Sequence, residues 1–172
     1  MGSPSTVALV KLMNSQYYGD DAVNAAARYY GFRGPISPIA RHIIHEEGFV
    51  AGEYDDHKGV STFGVGVARE ELKDKNFFTE VLPEYEEQAR KATKGYVSLP
   101  EEAQAAIVSM AYRGDWGKKT RAKLNKGDLK GAAKEYLDHG EYRKGKGRNA
   151  TPEEQAVAAR MERNAKALLE AN

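Results

Sequence analysis

The segment "HEEGFVAGEYDDHKGVSTFGVG", residues 45–66, holds the side chains best suited to chemistry. Glu47 ends an apolar helical pattern, Asp56 follows after eight intervening residues, and Thr62 after five more. A turn of this length can fold back so that both carboxylates flank one cleft, with Thr62 on a strand running back past it. Two carboxyl groups in different environments suit glycoside hydrolysis. One stays protonated to donate to the leaving oxygen, and the other stays ionised to activate water or stabilise positive charge. Acidic pairs in turns are common, so a plainer reading stands beside this one: Glu46 and Glu47 as a solvated helix end, Asp55 and Asp56 as turn formers.

A second constellation overlaps the first. His42, His45 and Glu46 lie at helical spacing with His57 nearby, and zinc uses such ligands. The string "HIIHE" lacks the HExxH spacing and specifies no third ligand, whereas the carboxylate chemistry needs neither metal nor cofactor. Cysteine is absent, which removes disulfides, thiolate metal sites and thiol nucleophiles. Net charge is +1, but it is unevenly spread. Residues 113–172 carry fifteen Lys/Arg against nine Asp/Glu, a net of +6, and residues 1–112 carry eleven against sixteen, a net of −5. The basic stretch "YRKGKGR" has little aromatic interleaving, so no specific nucleic-acid partner is expected, and attraction to anionic wall polymers accounts for it as well. No stretch approaches the roughly 18 apolar residues of a membrane span. The opening residues lack a basic n-region and a long enough apolar run for a cleavable signal, so synthesis in a reducing cytosol is expected.

Most of the chain reads as helix. "STVALVKLMN" and "DAVNAAARYYGF" are short amphipathic segments, and "ISPIARHIIHEEG" places Ile39, Ile43 and Ile44 on one face and stops at Gly48. Val60, Thr62, Phe63, Val65 and Val67 supply the β material, as a hairpin or three-stranded sheet. Helical periodicity returns from residue 69, interrupted at Pro83. "SLPEEAQAAIVSMAYRG", starting at Ser98 or Leu99, is apolar nearly all round and reads as the buried central helix. Two helices follow with Gly127-Asp128 between them, then a basic, glycine-rich loop "EYRKGKGRNA". A last helix is capped by Thr151, with Glu154 at the capping-box position. The expected fold is α+β and mainly helical.

Glu47, Asp56 and Thr62, with Gly48, Tyr54, Gly59, Gly64 and Gly66, resemble the catalytic segment of phage-type lysozymes, the muramidase endolysins of glycoside hydrolase family 24 that include the T-even phage enzymes. "SLPEEAQAAIVSMAYRGD" resembles that family's core helix, and "TRAKLNKGDLKGAAKEYLDH" the helix-turn-helix after it, so the likeness spans roughly residues 38–170. The resemblance implies a lysozyme-like two-lobe fold, with a small β-hairpin/sheet lobe and a helical C-terminal lobe. It implies cleavage of the β-1,4 bond between N-acetylmuramic acid and N-acetylglucosamine in bacterial peptidoglycan. Glu47 would be the general acid and Asp56 the second carboxylate. Thr62 would help hold the attacking water, with inversion at the anomeric carbon. Arg160 matches a family arginine that approaches the catalytic Glu, and Arg163, one turn on, would pair with Glu46 by the same logic. Tyr112, Arg113 and Trp116, at and just past the end of the core helix, would meet the sugar.

Several departures stand out. Arg113 replaces the amide usual at the end of the core helix, and Trp116 reads equally as a stacking platform or a core anchor. The chain after "GVG" lacks a frequent family His and is short. Residues 1–37 form a helical extension of unassigned role ahead of a catalytic domain at residues 38–172. That extension is open to packing on the C-terminal lobe, binding a virion component or gating the cleft. The implied setting is phage lysis or penetration of the wall at infection, with delivery to the periplasm through a holin or in the virion. Two rivals remain beside this reading: a metal-dependent wall hydrolase, and a non-catalytic wall-binding or virion protein on the same fold.

Overall fold

The computed structural model describes residues 16–55 and 61–171 of the chain. The amphipathic segment read at residues 5–14, together with Asp56, His57 and Val60, lies outside the described residues. The chain divides into two compact units, the first ending at Glu84 and the second starting at Tyr85.

In the first unit, α1 (Gly19–Tyr30) buries Ala22, Val23, Ala25 and Ala26, and its first turn carries Asp20 and Asp21, the favourable sign for a helix start. Gly31, at φ 66°, closes it in the left-handed conformation. α2 (Pro38–Glu47) starts where Ser37 accepts a hydrogen bond from the Ala40 N–H at 3.1 Å and Pro38 supplies a preset φ. It buries the expected Ile39, Ile43 and Ile44, together with Ala40. The two helices pack on each other and are clamped by Asp20, whose Oδ1 lies 3.0 Å from both Arg41 Nη1 and His45 Nε2.

The sheet is antiparallel in the order β1 (Gln16–Tyr17), β2 (Phe49–Asp55), β3 (Ser61–Gly64). β2 and β3 are the hairpin read from the sequence. The third strand comes from ahead of α2, where Gln16 pairs with Val50 and Tyr17 with Phe49. Pairing of β2 with β3 shifts between Val50 and Glu53, a bulge at which Gly52 takes φ 124°. Residues 16–30 thus belong to the same unit as α2 and the hairpin.

After β3 the chain makes a 3₁₀ turn at Glu70–Leu72 and a π turn at Phe77–Val81 that runs straight into α3 (Leu82–Ala92). The expected interruption at Pro83 is therefore not a break. The turn before it widens to i→i+5 bonding, with the Leu82 N–H on the Phe77 carbonyl, and the helix carries on through the proline.

The second unit is helical: a 3₁₀ turn at Tyr96–Ser98, then α4 (Glu101–Arg113), α5 (Lys118–Asn125), α6 (Leu129–Leu137), α7 (Gly140–Gly145) and α8 (Pro152–Leu169). α4 buries Ala103 and every residue from Ala105 to Ala111, as expected of a central helix. Its start differs from expectation. Ser98 belongs to the 3₁₀ turn, Pro100 occupies the cap position without a side-chain hydrogen bond, and Gln104 Nε2 reaches back 2.9 Å to the Tyr96 carbonyl. Asp128 caps α6 through the Gly131 N–H, following Gly127 at φ 75°. The expected capping box is present: Thr151 Oγ1 accepts from the Glu154 N–H and Glu154 Oε2 from the Thr151 N–H, both at 3.2 Å.

The basic stretch read as a loop is in part the helix α7. Tertiary contact outweighs its glycine content, because α7 lies so close to α8 that a β-carbon on Gly145 would collide with the Glu154 carbonyl oxygen and fall 2.5 Å from Ala158 Cβ. Much of its positive charge is matched locally. Lys144 meets Glu154 at 3.3 Å, Lys146 meets Glu162 at 3.1 Å and Arg143 meets Asp138. α8 packs against α4, α6 and α7 and so forms the spine of this unit. No described helix is long and apolar enough to cross a membrane.

Candidate active site

Glu47 is the last residue of α2. The next residue, Gly48, takes φ 72° and ψ −173°, gives its N–H to the Ile44 carbonyl at 2.7 Å and leads directly into β2. Glu47 is therefore set by a helix on one side and a paired strand on the other. Its carboxylate lies against the turn after β3. There the Phe63 and Val67 backbones exchange two hydrogen bonds of 2.9 Å, closing Gly64-Val65-Gly66 into a tight loop with both glycines at φ 61° and Val65 fully buried. A β-carbon on Gly66 would sit 2.6 Å from Glu47 Oε2, and one on Gly64 would sit 2.5 Å from Tyr30 Oη. The "GVG" string is thus a surface shaped to the carboxylate on one side and to α1 on the other.

Thr62 lies on β3 opposite Tyr54 and is 4% exposed, so its hydroxyl is held within the unit that carries Glu47. The hairpin is paired as far as Asp55 with Ser61. Asp56, the next residue, lies outside the described residues. His45 has its ring on Asp20, and among the described residues no three His, Asp or Glu side chains converge in a way that could hold a metal ion.

The other candidate residues belong to the second unit. The rings of Tyr112 and Tyr85 are 4.8 Å apart, tilted by 56°. Arg113 ends α4 with its Nη2 3.9 Å from Glu141 Oε2, and its buried Nε meets no acceptor among the described residues. Trp116 is half-buried, Arg160 is 5% exposed on α8 and Arg163 is exposed one turn on. Glu46 is half-buried beside Glu47 in the first unit.

The sequence reading passed over a buried polar chain in the second unit. Both oxygens of Asp115 accept from the Tyr136 hydroxyl at 3.0 Å, while Asn164 Nδ2 reaches Ser109 Oγ at 3.1 Å and Tyr136 Oη at 3.5 Å. Burial pushes the Asp115 carboxyl above its ordinary value. The Tyr136 hydrogen bond and the charges of Arg113 and Arg160 oppose that shift, and Glu141 adds to it. A signal was present in "RGDW", where an acid follows directly on the glycine that ends a buried helix.

Gly66→Ala both forces an L side chain into the left-handed region, at about 1–2 kcal/mol, and drives a methyl into the Glu47 carboxylate. Lytic activity should fall by much more than the modest drop in denaturation midpoint implies, and activity loss in mere proportion to stability would contradict the contact. For Asp115 the folded-state value lies above the unfolded one, so its contribution is fully present at low pH and is lost as pH rises through the raised value. Melting temperatures of wild type and Asp115→Asn, compared from pH 3.5 upward, should shift in favour of the variant as pH rises. A pH-independent difference would rule the burial effect out.

A search of curated proteins with the whole sequence finds no match. A family model described as phage lysozyme matches residues 44–163, a span that starts just before Glu47, ends at Arg163 and covers well over half of the chain. The chain therefore belongs to the phage lysozyme family, the muramidases that hydrolyse bacterial peptidoglycan.

Proposed function

We propose that Glu47 is the general acid of this muramidase, Asp56 the second carboxylate and Thr62 the residue that holds the attacking water. The observation that carries the assignment is the fit of the Glu47 carboxylate against Gly66 in the closed Phe63–Val67 turn. A side chain held that tightly, at a helix-to-strand junction, has little freedom to lose when a glycosidic oxygen is presented to it. Thr62 is buried on the strand that leads into the same turn, as a water-holding hydroxyl should be.

In this reading Glu47 gives its proton to the leaving oxygen while Asp56 draws a proton from water, and water attacks the anomeric carbon from the opposite face. The outcome is inversion, which calls for carboxyl groups about 6.5–9.5 Å apart. Arg160 and Arg163 act by orienting Glu47 and Glu46. Tyr112, Arg113 and Trp116 bind the sugar. Its substrate lies beyond the inner membrane, so the enzyme reaches it through a holin pore or carried in a virion, for which the N-terminal segment is the candidate attachment.

Release of reducing ends from purified peptidoglycan tests the assignment. Glu47→Gln should lower kcat by about 10²–10⁴-fold while its thermal unfolding stays close to that of wild type. A folded variant with wild-type turnover would end the case for Glu47. The first-formed anomer, read by proton NMR during turnover, should be inverted, and a covalent glycosyl-enzyme trapped on Asp56 would exclude that course.

A further inference from the structure

Four large apolar or aromatic side chains are strongly exposed among the described residues: Tyr18, Tyr29, Val97 and Leu169. The two in the first unit touch the two residues that follow Glu47. A β-carbon on Gly48 would meet the Tyr18 ring at 3.5–3.6 Å, and the Tyr29 ring lies 5.5 Å from that of Phe49. Tyr18 is 64% exposed, so the core does not account for it.

Its backbone is nevertheless firmly set. Tyr17, before it, pairs with Phe49 in the sheet, and Tyr18 itself is the extended N-cap of α1, its carbonyl accepting from the Ala22 N–H at 3.1 Å. Beneath it, Gly48 leaves no room for a side chain, because the Tyr17 carbonyl oxygen would lie 3.0 Å from its β-carbon. Tyr29 stands on a base of aromatic rings, edge-on to Tyr30 at 4.9 Å.

From this placement we propose that Tyr18, seconded by Tyr29, is a stacking platform for the glycan strand beside Glu47, a sugar-binding subsite supplied by the N-terminal segment. The substrate chemistry fits. Acetylated pyranoses present C–H faces and acetyl methyl groups to aromatic rings, while the phenol hydroxyl remains free to bond sugar oxygens. A tyrosine has few rotatable bonds, so little freedom is lost when the sugar covers it. This subsite rests on the assignment of Glu47 as the acid, because that is what brings the ring to the scissile bond.

The test measures co-sedimentation with purified sacculi in the Glu47→Gln background, with Tyr18→Ala and Tyr18→Phe added singly. Tyr18→Ala should weaken binding roughly five- to tenfold, the size of a lost aromatic contact, and Tyr18→Phe should largely retain it. With Glu47 restored, Tyr18→Ala should raise KM by a similar factor and move kcat less. Unchanged binding and KM in Tyr18→Ala overturn the subsite, and equal losses in Ala and Phe overturn stacking as its basis. Matching thermal unfolding of the variants separates lost contact from lost fold. The two assignments fail separately. A silent Glu47→Gln with Tyr18 indifferent keeps the acid and removes the platform. An active Glu47→Gln removes the acid, and with it the placement of the platform at the scissile bond.

Discussion

The reversal at Gly48 is the constraint on which the first unit depends. One residue separates the last turn of α2 from the first pair of the sheet, and it must take φ 72° with a carbonyl oxygen pressed where a side chain would be. Only glycine meets both demands. Because the helix ends there and the strand starts there, the direction of β2 is set relative to α2, and the hairpin returns β3 towards the helix end. The turn after β3 then meets Glu47 through Gly66. Three glycines, at 48, 64 and 66, thus convert a sequence separation of nearly twenty residues into contact with a single carboxylate.

Glycines permit this geometry but do not hold it, and α1 supplies the bracing. Tyr30, at the end of α1, has its hydroxyl against Gly64, its ring 6.2 Å from Phe49 and 6.1 Å from Phe78, and its carbonyl accepting from Asn76 Nδ2 at 3.1 Å. Asn76 in turn caps the π turn through the Phe78 and Thr79 N–H groups. Phe32 stacks on Phe78 at 4.5 Å and Phe77 meets it edge-on at 5.1 Å. Each such ring pair is worth about 0.5–1.5 kcal/mol beyond the area it buries. One residue of the N-terminal segment therefore touches the turn after β3, the sheet and the π turn, which makes residues 16–30 part of the frame around Glu47.

What the sequence disclosed followed from how local the cause was. Ile39, Ile43 and Ile44 mark their helix by spacing, Gly48 by its type, and Thr151 with Glu154 by a cap that needs only four residues. These are short-range effects and can be read directly. β1 was not legible, because Gln16 and Tyr17 become a strand only when Phe49 and Val50 arrive to pair with them. α7 was misread as a loop because Gly145 signals flexibility in isolation, whereas here it permits close approach to α8. Pro83 signalled a break, and the chain instead widened the preceding turn. At the site, the types and spacing of Glu47 and Thr62 were visible, and the contact of Glu47 with Gly66 was not. Spacing along a chain carries no information on which loop a carboxylate will touch.

In the second unit, register takes the place of reversal as the problem to be solved. α8 is amphipathic and packs on three helices, and apolar contacts alone tolerate sliding by a turn. The polar chain does not tolerate it. Asn164 is 1% exposed, and its amide finds Ser109 on α4 and Tyr136 on α6 at one position of α8 only. Moving the helix by a turn would part the buried Asn164 amide from the Ser109 hydroxyl, at about 1–3 kcal/mol for each group left unpaired, while Tyr136 would keep Asp115. Arg160 lies four residues earlier, one turn along the same helix, and is itself buried at a depth where a guanidinium needs well-placed neighbours. The Asp115 carboxylate feels its charge. The amide that fixes the register of α8 therefore also fixes Arg160.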